Sequence, residues 1–569
     1  MDNIESNSAD RIKAYISEIK FNNGSSLKIE ANDIVLFVGP NNAGKTQALN
    51  DIYSKARANY TTLVISDITK AIKSGGSLQP LLEKIAVATN RVANNIYYHG
   101  HEINYNYNPV SDDENFCKHK YYSSFAPLFI SRLTTENRLT VCKPPTRVND
   151  NEPYIHPIHY AVSNYTYEKW LSESFHKAFG NALLVNTEFG KDIPLCIGPA
   201  INIPGGDARE QISRYAKTVN KYPQVQDQGD GIKSFTGILL YLMLDHYCTY
   251  LIDEPESFLH PPQARIMGQI IGHTLRDYQQ AFISTHSEDI LKGLLDECPE
   301  RLKIVRITRT DNVNTFSILS NEKIKEVLDD PLLKYSNILS SLFHKTTVLC
   351  ESDSDCKFYS IIDNHLKQKE NKYSETLFVH CGGKDRIKKT AEALKALNVD
   401  IRIITDIDVL NNEDTIKGIA SVLGADWNII KDKYKILKSN INNIDNRISR
   451  ESAKRDILEV LESSSDSKLS KLEIEKIIHC VRIDSKWKQI KEGGESSIPK
   501  GDAQGAFNDI NKTLREHKIH IVPVGELEGF VGDVGGHGPH WVNEVLEKYP
   551  NLDDEVYRKA REFVKGIGL

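Results

Sequence analysis

Residues 34–49 read IVLFVGPNNAGKTQAL, an apolar run that breaks into GPNNAGKT and then into residues that favour a helix. The spacing GxxxxGKT fixes more about this chain than any other stretch. Glycines at Gly39 and Gly44 let backbone amides curl round phosphate oxygens, and the helix that follows adds positive potential at its N-terminus. Asn41 and Asn42 complete the loop, Lys45 would reach the β- and γ-phosphates, and Thr46 would bind Mg²⁺. A strand before and a helix after are the context that such a loop needs. A phosphate loop of this kind belongs in an α/β domain.

A chain of 569 residues exceeds a single core, so two or more domains are expected. With 40% apolar and 26% charged residues the composition is that of a globular protein. The net charge of −6 excludes a generally basic nucleic-acid coat but leaves room for a local basic groove. Nine cysteines lie scattered without a CxxC pair, which argues against a zinc ribbon or a disulfide framework and fits a reducing cytoplasm. The first residues, MDNIESNSADR, lack a signal-peptide core, and the best apolar run, FTGILLYLML, is too short to span a bilayer. A cytoplasmic protein without membrane contact is expected.

Three further stretches extend the phosphate-loop reading. CTYLIDEPESFLHP at 248–261 predicts a buried strand ending in Asp253 and Glu254. In phosphate-loop ATPases such an Asp holds Mg²⁺ and the next Glu polarises the attacking water. AFISTHSEDIL at 281–291 predicts a strand ending at His286. DQGDGIKSFTGILLYL at 227–242 places Gly229 and Gly231 before an apolar helix. In this order the elements resemble ABC-type ATPases of the SMC-like branch. The resemblance implies that His286 contacts the γ-phosphate and that the loop at Gly229 and Gly231 faces the nucleotide of a second subunit. Asp230 departs from the LSGGQ pattern, which has a small residue there. FISRLTTENRL at 129–139 does not identify a Q-loop. Residues 95–125, rich in Tyr, Asn and His, and residues 143–157, rich in Pro and Asn, are expected to be loops of a subdomain inserted over roughly 55–225, a possible dimerisation region.

RLKIVRITR and NTFSILS are expected to close this first domain as a hairpin near residue 320. Strand and helix then alternate, which predicts a second parallel sheet. TTVLCESDSDCKFYSII ends a strand at Glu351 with Asp355 four residues on; TLFVHCGGKDRIKK gives strand, Gly-Gly turn and helix; IRIITDIDVLN runs into Asp406 and Asp408. Residues two apart share one face of a strand, so two carboxylates side by side at a strand end call for a hard cation. The order Glu, Gly-Gly turn, Asp-x-Asp resembles the Toprim fold. That resemblance implies that Glu351, Asp406 and Asp408 hold divalent metal for phosphoryl transfer on nucleic acid. Ser352 stands where the pattern usually has Gly. KIHIVPVGELEGFVGD at 518–533 predicts a further strand ending in Glu526 and Glu528, and residues 411–517 a charged helical insertion.

An ABC-type ATPase followed by a Toprim domain in one chain resembles the OLD (overcoming lysogenisation defect) family, to which Gabija-type nucleases and some retron effectors belong. Gly525-Glu526-Leu527-Glu528 resembles its C-terminal Gly-x-Leu-Glu element. The expected architecture is α/β: an ATPase domain over 1–340, then a Toprim domain over 341–569 with a helical insertion. The implied function is ATP-regulated, divalent-metal-dependent DNA cleavage in antiphage defence. Glu351, Asp406 and Asp408 would hold one ion, Asp355 and Glu528 would help hold a second, and Lys384 would steady the phosphate. Arg386, Lys388 and Lys389 would contact the DNA backbone. Cofactors are ATP and Mg²⁺, with Mn²⁺ or Ca²⁺ open in the Toprim site. Partners are phage or plasmid DNA, a second copy of the chain, and a defence component such as a reverse transcriptase with its RNA/DNA product. Two other readings stand beside this one: a non-cleaving Toprim scaffold that controls a partner effector, and an SMC-like DNA-repair ATPase.

Overall fold

The structure is a computed structural model, and it describes residues 13–58, 61–73, 77–118, 122–149, 152–201, 207–244, 246–310, 313–319, 321–329, 338–444, 449–463, 468–481 and 485–569. The polar N-terminal stretch and part of the serine-rich run after residue 463 lie outside these. The chain divides into two compact units, residues 1–324 and 325–569.

The first unit is built on a six-stranded sheet of β1 (Ile34–Val38), β2 (Ile130–Leu133), β3 (Thr249–Asp253), β4 (Gln280–Ser284), β5 (Leu302–Thr310) and β6 (Val313–Leu319). Their order is β6-β5-β1-β4-β3-β2. All pairs are parallel except β5 with β6, the expected hairpin. All five residues of β1 are buried, as a strand covered on both faces requires. The phosphate loop leads from β1 into α1 (Lys45–Ala56), and α2 (Asp230–Met243) precedes β3.

The Tyr-, Asn- and His-rich stretch is not loop. Residues Ala86–Val92, Asn95–Gly100 and Ile103–Tyr107 form an antiparallel meander. Tyrosine and isoleucine suit a half-buried pleated surface, and Tyr98 and Tyr107 turn inward while Tyr97 is exposed. A bias toward Asn hid a two-residue alternation. Residues 143–149 and 152–156 are irregular, as expected.

The second unit carries a four-stranded parallel sheet of β7 (Thr346–Cys350), β8 (Thr376–His380), β9 (Asp400–Thr405) and β10 (Ile519–Ile521), in the order β8-β7-β9-β10. Helix α3 (Asp353–Lys369) follows β7 and α4 (Lys384–Ala396) follows β8. Between β9 and β10 the chain is helical, including the pair α5 (Arg450–Glu462) and α6 (Lys471–Val481) and then α7 (Lys486–Gly493). After β10 comes α8 (Gly538–Lys548), whose Trp541, Val542 and Val545 are buried with Phe358 and Tyr359 of α3. Among the described residues no helix is long and apolar enough to cross a membrane.

Candidate functional site

At the carboxyl end of β1 the loop passes so close to β5 that a Cβ on Gly39 would lie 2.0 Å from the carbonyl oxygen of Ile307. Only glycine fits there, and its φ of +143° suits only glycine as well. Gly44, at φ +99°, turns the chain into α1. Lys45 is buried, and its ammonium donates to the carbonyls of Gly39 and Pro40 at 2.8 and 2.7 Å. Burial lowers this lysine to about 8, against the pull of Glu254, Glu256 and Asp253. Thr46 Oγ1 donates to Asp253 Oδ1 at 2.9 Å, so the two residues expected to share Mg²⁺ already meet. Asn42 adopts φ +58° within the loop.

Glu254 follows β3 with φ +46°, an uncommon backbone for a residue with a Cβ. Its amide donates to Ser284 O at 3.0 Å, and its carboxylate lies 3.3 Å from His286 Nε2. The His286 hydrogen bond holds this carboxyl below the usual range. Arg138, fully buried, donates to the carbonyls of both Asp253 and Glu254, the latter at 3.1 Å. Nothing in the sequence of 129–139 flagged that role. Glu256 Oε1 accepts from the His286 amide at 2.6 Å, which fixes the turn after β4.

Gly229 caps α2, and a Cβ on Gly231 would lie 2.5 Å from Phe258 O. Gly231 therefore serves close contact with the stretch after Glu254. Asp230, the departure from the signature pattern, pairs with Lys233 at 2.7 Å, and this offsets its charge at the helix start. Phe258, at φ +69° and 56% exposed, stands beside Gly231.

In the second unit β7 ends at Cys350, and Glu351 Oε1 accepts the Asp406 amide at 3.0 Å. The two aspartates do not sit side by side on a strand. β9 stops at Thr405, Asp406 caps the 3₁₀ turn Ile407–Asn411, and Asp408 lies within it. The Ile407 amide donates to Gly525 O at 2.9 Å, which ties this turn to the Glu526 loop. Glu351, Asp406 and Asp408 nevertheless bring one oxygen each to within 4.8 Å of one another. Lys384, first residue of α4, reaches Asp408 Oδ2 at 2.7 Å, while the buried Asp408 Oδ1 has no hydrogen-bond partner. Burial and then the neighbouring acids raise Glu351 to about 7 and hold Asp406 well above the carboxylate range. An orphaned buried oxygen among acids that repel one another is a donor set that fits a hard divalent cation.

Asp355 is the third residue of α3, and its Oδ2 accepts from the Ser352 amide at 2.8 Å and hydroxyl at 3.0 Å. The Ser352 side chain accepts in return from the Asp355 amide, a capping box. The unusual serine thus has a structural reason. Strand β10 ends at Ile521, well short of Glu526 and Glu528. Pro523 has no amide to give a ladder and Gly525 takes φ +99°, so both glutamates lie on a loop and a 3₁₀ turn. Glu528 groups with Glu526 and His537, one donor atom each within 4.8 Å, and its charge also acts on Asp355 across the same cleft. Glu351, Asp355, Asp406, Glu526, Glu528 and His537 line one cleft of about 510 Å³.

Lys491 of α7 enters the same cleft from the helical insertion. Its ammonium lies 2.9 Å from Asp406 Oδ2, 3.6 Å from Glu526 Oε2 and 3.9 Å from Asp408 Oδ2. Burial works against its charge, but Asp406, Asp408 and Glu526 outweigh it and hold Lys491 protonated. The signal for it was the Gly493-Gly494 pair that follows. A Cβ on Gly494 would lie 2.3 Å from Pro523 O, which marks a close backbone approach. Of the basic run on α4, Arg386 lies over Gly382, and Lys388 packs on Gly418 and lies 3.8 Å from Glu392. Lys389 is exposed.

Residues 208–292 match the family described as "AAA domain, putative AbiEii toxin, Type IV TA system". Residues 342–408 match "Overcoming lysogenization defect protein-like, TOPRIM domain". These spans run from before α2 to past His286, and from before β7 to Asp408. The Old nuclease of Escherichia phage P2 is 25% identical over 167 residues, 28% of this chain and 28% of that protein. Among solved structures, an SmcHead bound to the C-winged helix domain of ScpA overlaps at a TM-score of 0.34 and 14% identity, covering 55% of this chain and 100% of that one. The SMC head domain from Thermotoga maritima gives 0.28 and 12%, with 55% and 99% covered. At such scores the fold rests on the chain's own strand order and on the two matched domains.

Proposed function

Because the chain joins an ATPase domain to an OLD-like Toprim domain, we propose that it is an ATP-regulated, divalent-metal-dependent DNA endonuclease that acts in the cytoplasm in antiphage defence. The observation that carries this reading is the convergence of Glu351, Asp406 and Asp408, all within the matched Toprim span, with Glu351 and Asp406 lining an open cleft. The Old nuclease of phage P2, by its name a nuclease, adds support over the part that aligns.

Divalent ions held in the cleft would activate the attacking water and stabilise the leaving oxygen of a phosphodiester. The protein's own part is to hold them. Glu351 and the Asp406 turn are locked to each other through the backbone, so the three carboxylates keep their spacing. Lys384, at the start of α4, is placed to meet a phosphate oxygen once Asp408 turns to an ion. In the ATPase unit, Lys45 faces the phosphates, Thr46 and Asp253 share the Mg²⁺ position, and Glu254, oriented by His286, polarises water. Asn41, Asn42, Gly229 and Gly231 complete the nucleotide contacts, the last two across a homodimer.

The test is to nick supercoiled plasmid with Mg²⁺ or Mn²⁺ across ATP concentrations, using wild type and Glu254→Gln, with particle mass recorded in parallel. Metal-dependent nicking by a dimer, at a rate that follows nucleotide state, is expected. A protein that never nicks plasmid under any metal sinks the nuclease reading. Nicking indifferent to nucleotide in both proteins sinks the coupling.

A further inference from the structure

A second cavity, of about 490 Å³, adjoins the loop that carries Glu526 and Glu528. The two hollows are walled by the same two segments. Lys491, Glu526 and Glu528 line the acidic cleft, whereas Gly493, Glu495, Pro523, Val524 and Gly529 line the second cavity. The Glu495 amide donates to Pro523 O at 2.9 Å, and a Cβ on Gly525 would lie 1.9 Å from Lys491 O, so the two segments are pinned to each other.

The lining carries polar groups without partners. Helix Arg558–Ile567 contributes Lys559, Glu562 and Phe563, helix Asp502–Glu516 contributes Arg515, and β10 contributes His520. Among the described residues, no side-chain hydrogen bond or ion pair engages Arg515, Lys559, Glu495 or Glu562. Lys559 and Glu562 stand one turn apart on the same helix and still do not pair. His520 is only 5% exposed, and its Nε2 has no hydrogen-bond partner. Burial, then Arg515 and Arg402, lowers this imidazole to about 4, so it stays neutral. A buried nitrogen left unmet is unfavourable, and a bound group can complete it.

Two cations and two unpaired carboxylates balance, so neither a bare phosphate nor a polyamine matches the lining. The match is a ligand with an anionic end and a donor-rich end. Carboxylates only accept hydrogen bonds. Guanine presents adjacent N–H donors on one edge, whereas adenine and cytosine present a single amino group. Phe563, Pro523 and Val524 offer the apolar surface that a base needs, and the volume suits a molecule of that size. We propose that this cavity binds a nucleoside monophosphate, guanine preferred, with its phosphate on Arg515 and Lys559 and its base beside Phe563, donating to Glu495 and Glu562. Occupancy acts on the shared segments and so on the Lys491–Glu526 contact of 3.6 Å. This rests on the nuclease reading only for the source of the ligand, since nuclease action yields phosphorylated strand ends and, on full digestion, nucleotides.

Isothermal titration calorimetry on the full-length chain carrying Lys45→Ala, which silences the phosphate loop, reads this site alone. The probes are GMP, AMP, CMP, guanosine, inorganic phosphate and a 5′-phosphorylated oligonucleotide that begins with guanine. Thermal unfolding checks that each variant is folded. GMP should bind, with AMP, CMP, guanosine and phosphate each weaker by about tenfold or more. Arg515→Ala should weaken GMP by about tenfold. Gly566 lines the cavity and a Cβ there meets nothing within 4 Å, so Gly566→Leu fills the space without strain and should abolish binding. Gly505→Leu, equally open but outside the cavity, should bind as before. On adding GMP, hydrogen exchange should slow in peptides covering 491–496 and 523–529. Absence of GMP binding, binding unchanged in both Arg515→Ala and Gly566→Leu, or phosphate as tight as GMP overturns the proposal. AMP as tight as GMP overturns the guanine preference, and unchanged exchange overturns the link to the acidic cleft. An oligonucleotide that competes with GMP identifies a strand end as the source, and one that does not identifies the free nucleotide; either upholds the site. Plasmid nicking by wild type separates the two claims. GMP binding without nicking upholds the site and sinks the nuclease reading, whereas nicking without GMP binding sinks the site alone.

Discussion

The backbone amide of Asp406 donates to the side chain of Glu351 at 3.0 Å, so the acid at the end of one strand is held by the turn at the end of its neighbour. The hydrogen bond favours the charged carboxylate while burial opposes it, and burial wins. The site is therefore rigid but electrostatically unfavourable until a cation enters. Asp406→Ala and Asp408→Ala should each remove a ligand worth several kcal/mol of charge stabilisation, roughly a 100-fold or greater loss of nicking. ATP hydrolysis should persist in both, since the phosphate loop belongs to the other unit. Wild-type nicking by either variant would discard the assignment.

Glu254 is bound to His286 and has an uncommon backbone, which together aim its carboxylate. Glu254→Gln should bind ATP normally and hydrolyse it about 100-fold more slowly. Lys45→Ala should lose nucleotide binding itself. Fluorescent-nucleotide titration beside phosphate release distinguishes the two outcomes.

Arg138 supplies the only described side-chain donors to the carbonyls of Asp253 and Glu254. Arg138→Ala should leave these buried acceptors unmet and destabilise the ATPase unit by about 3 kcal/mol. Arg138→Lys should recover only part, because an ammonium lacks the planar fork. Denaturant unfolding measures the first effect and ATP turnover the second.

The two units should respond to pH with opposite sign. Burial holds His101, His156 and His159 below the ordinary histidine value, His156 down to about 3. These groups stay neutral in the fold, so their contribution is present above about pH 6.5 and is lost as pH falls toward 3. Glu351 is raised to about 7, so its contribution is present below about pH 4.5 and is lost as pH rises through 7. Hydrogen exchange read peptide by peptide should show the ATPase unit loosening in acid and the metal-free Toprim cleft loosening toward neutral pH. Mg²⁺ should reverse only the second. Loosening of both in the same direction contradicts the argument.

Lys491 offsets the repulsion between acids when no ion does. Lys491→Met keeps the length and removes the charge. The metal-free variant should melt below wild type at neutral pH, and its gain in melting temperature on adding Mg²⁺ should exceed that of wild type. Equal gains would show that the ammonium does not bear on the ion position.

The phosphate loop was legible because eight adjacent residues carry the whole device, and the same holds for Asp253 with Glu254. The Asp406 and Asp408 pair was legible as a pair, but its geometry was not. A strand and a 3₁₀ turn both bring residues two apart to one side of a ligand. The glutamates at 526 and 528 were placed on a strand because the apolar run before them gives no warning that Pro523 and Gly525 end the ladder. Arg138 and His537 were not legible, and Lys491 only through the Gly493-Gly494 pair that follows it. Each arrives from a segment with no motif of its own, and only the folded sheet brings it to the site.

The helical insertion consists of two parts that evolution can treat differently. The α5 helix has no buried residue, and its neighbour α6 exposes Leu472 and Ile478. By contrast α7 is wedged against the loop that carries the glutamates: a Cβ on Gly525 would lie 1.9 Å from Lys491 O. Insertions and deletions confined to the α5–α6 hairpin leave Lys491 where it is, so that hairpin is the place where relatives can differ in length or acquire a new module. Any side chain at Gly525 would push α7 off the loop and take the lysine with it, so this glycine sets how closely the appendage must stay joined to the chemistry.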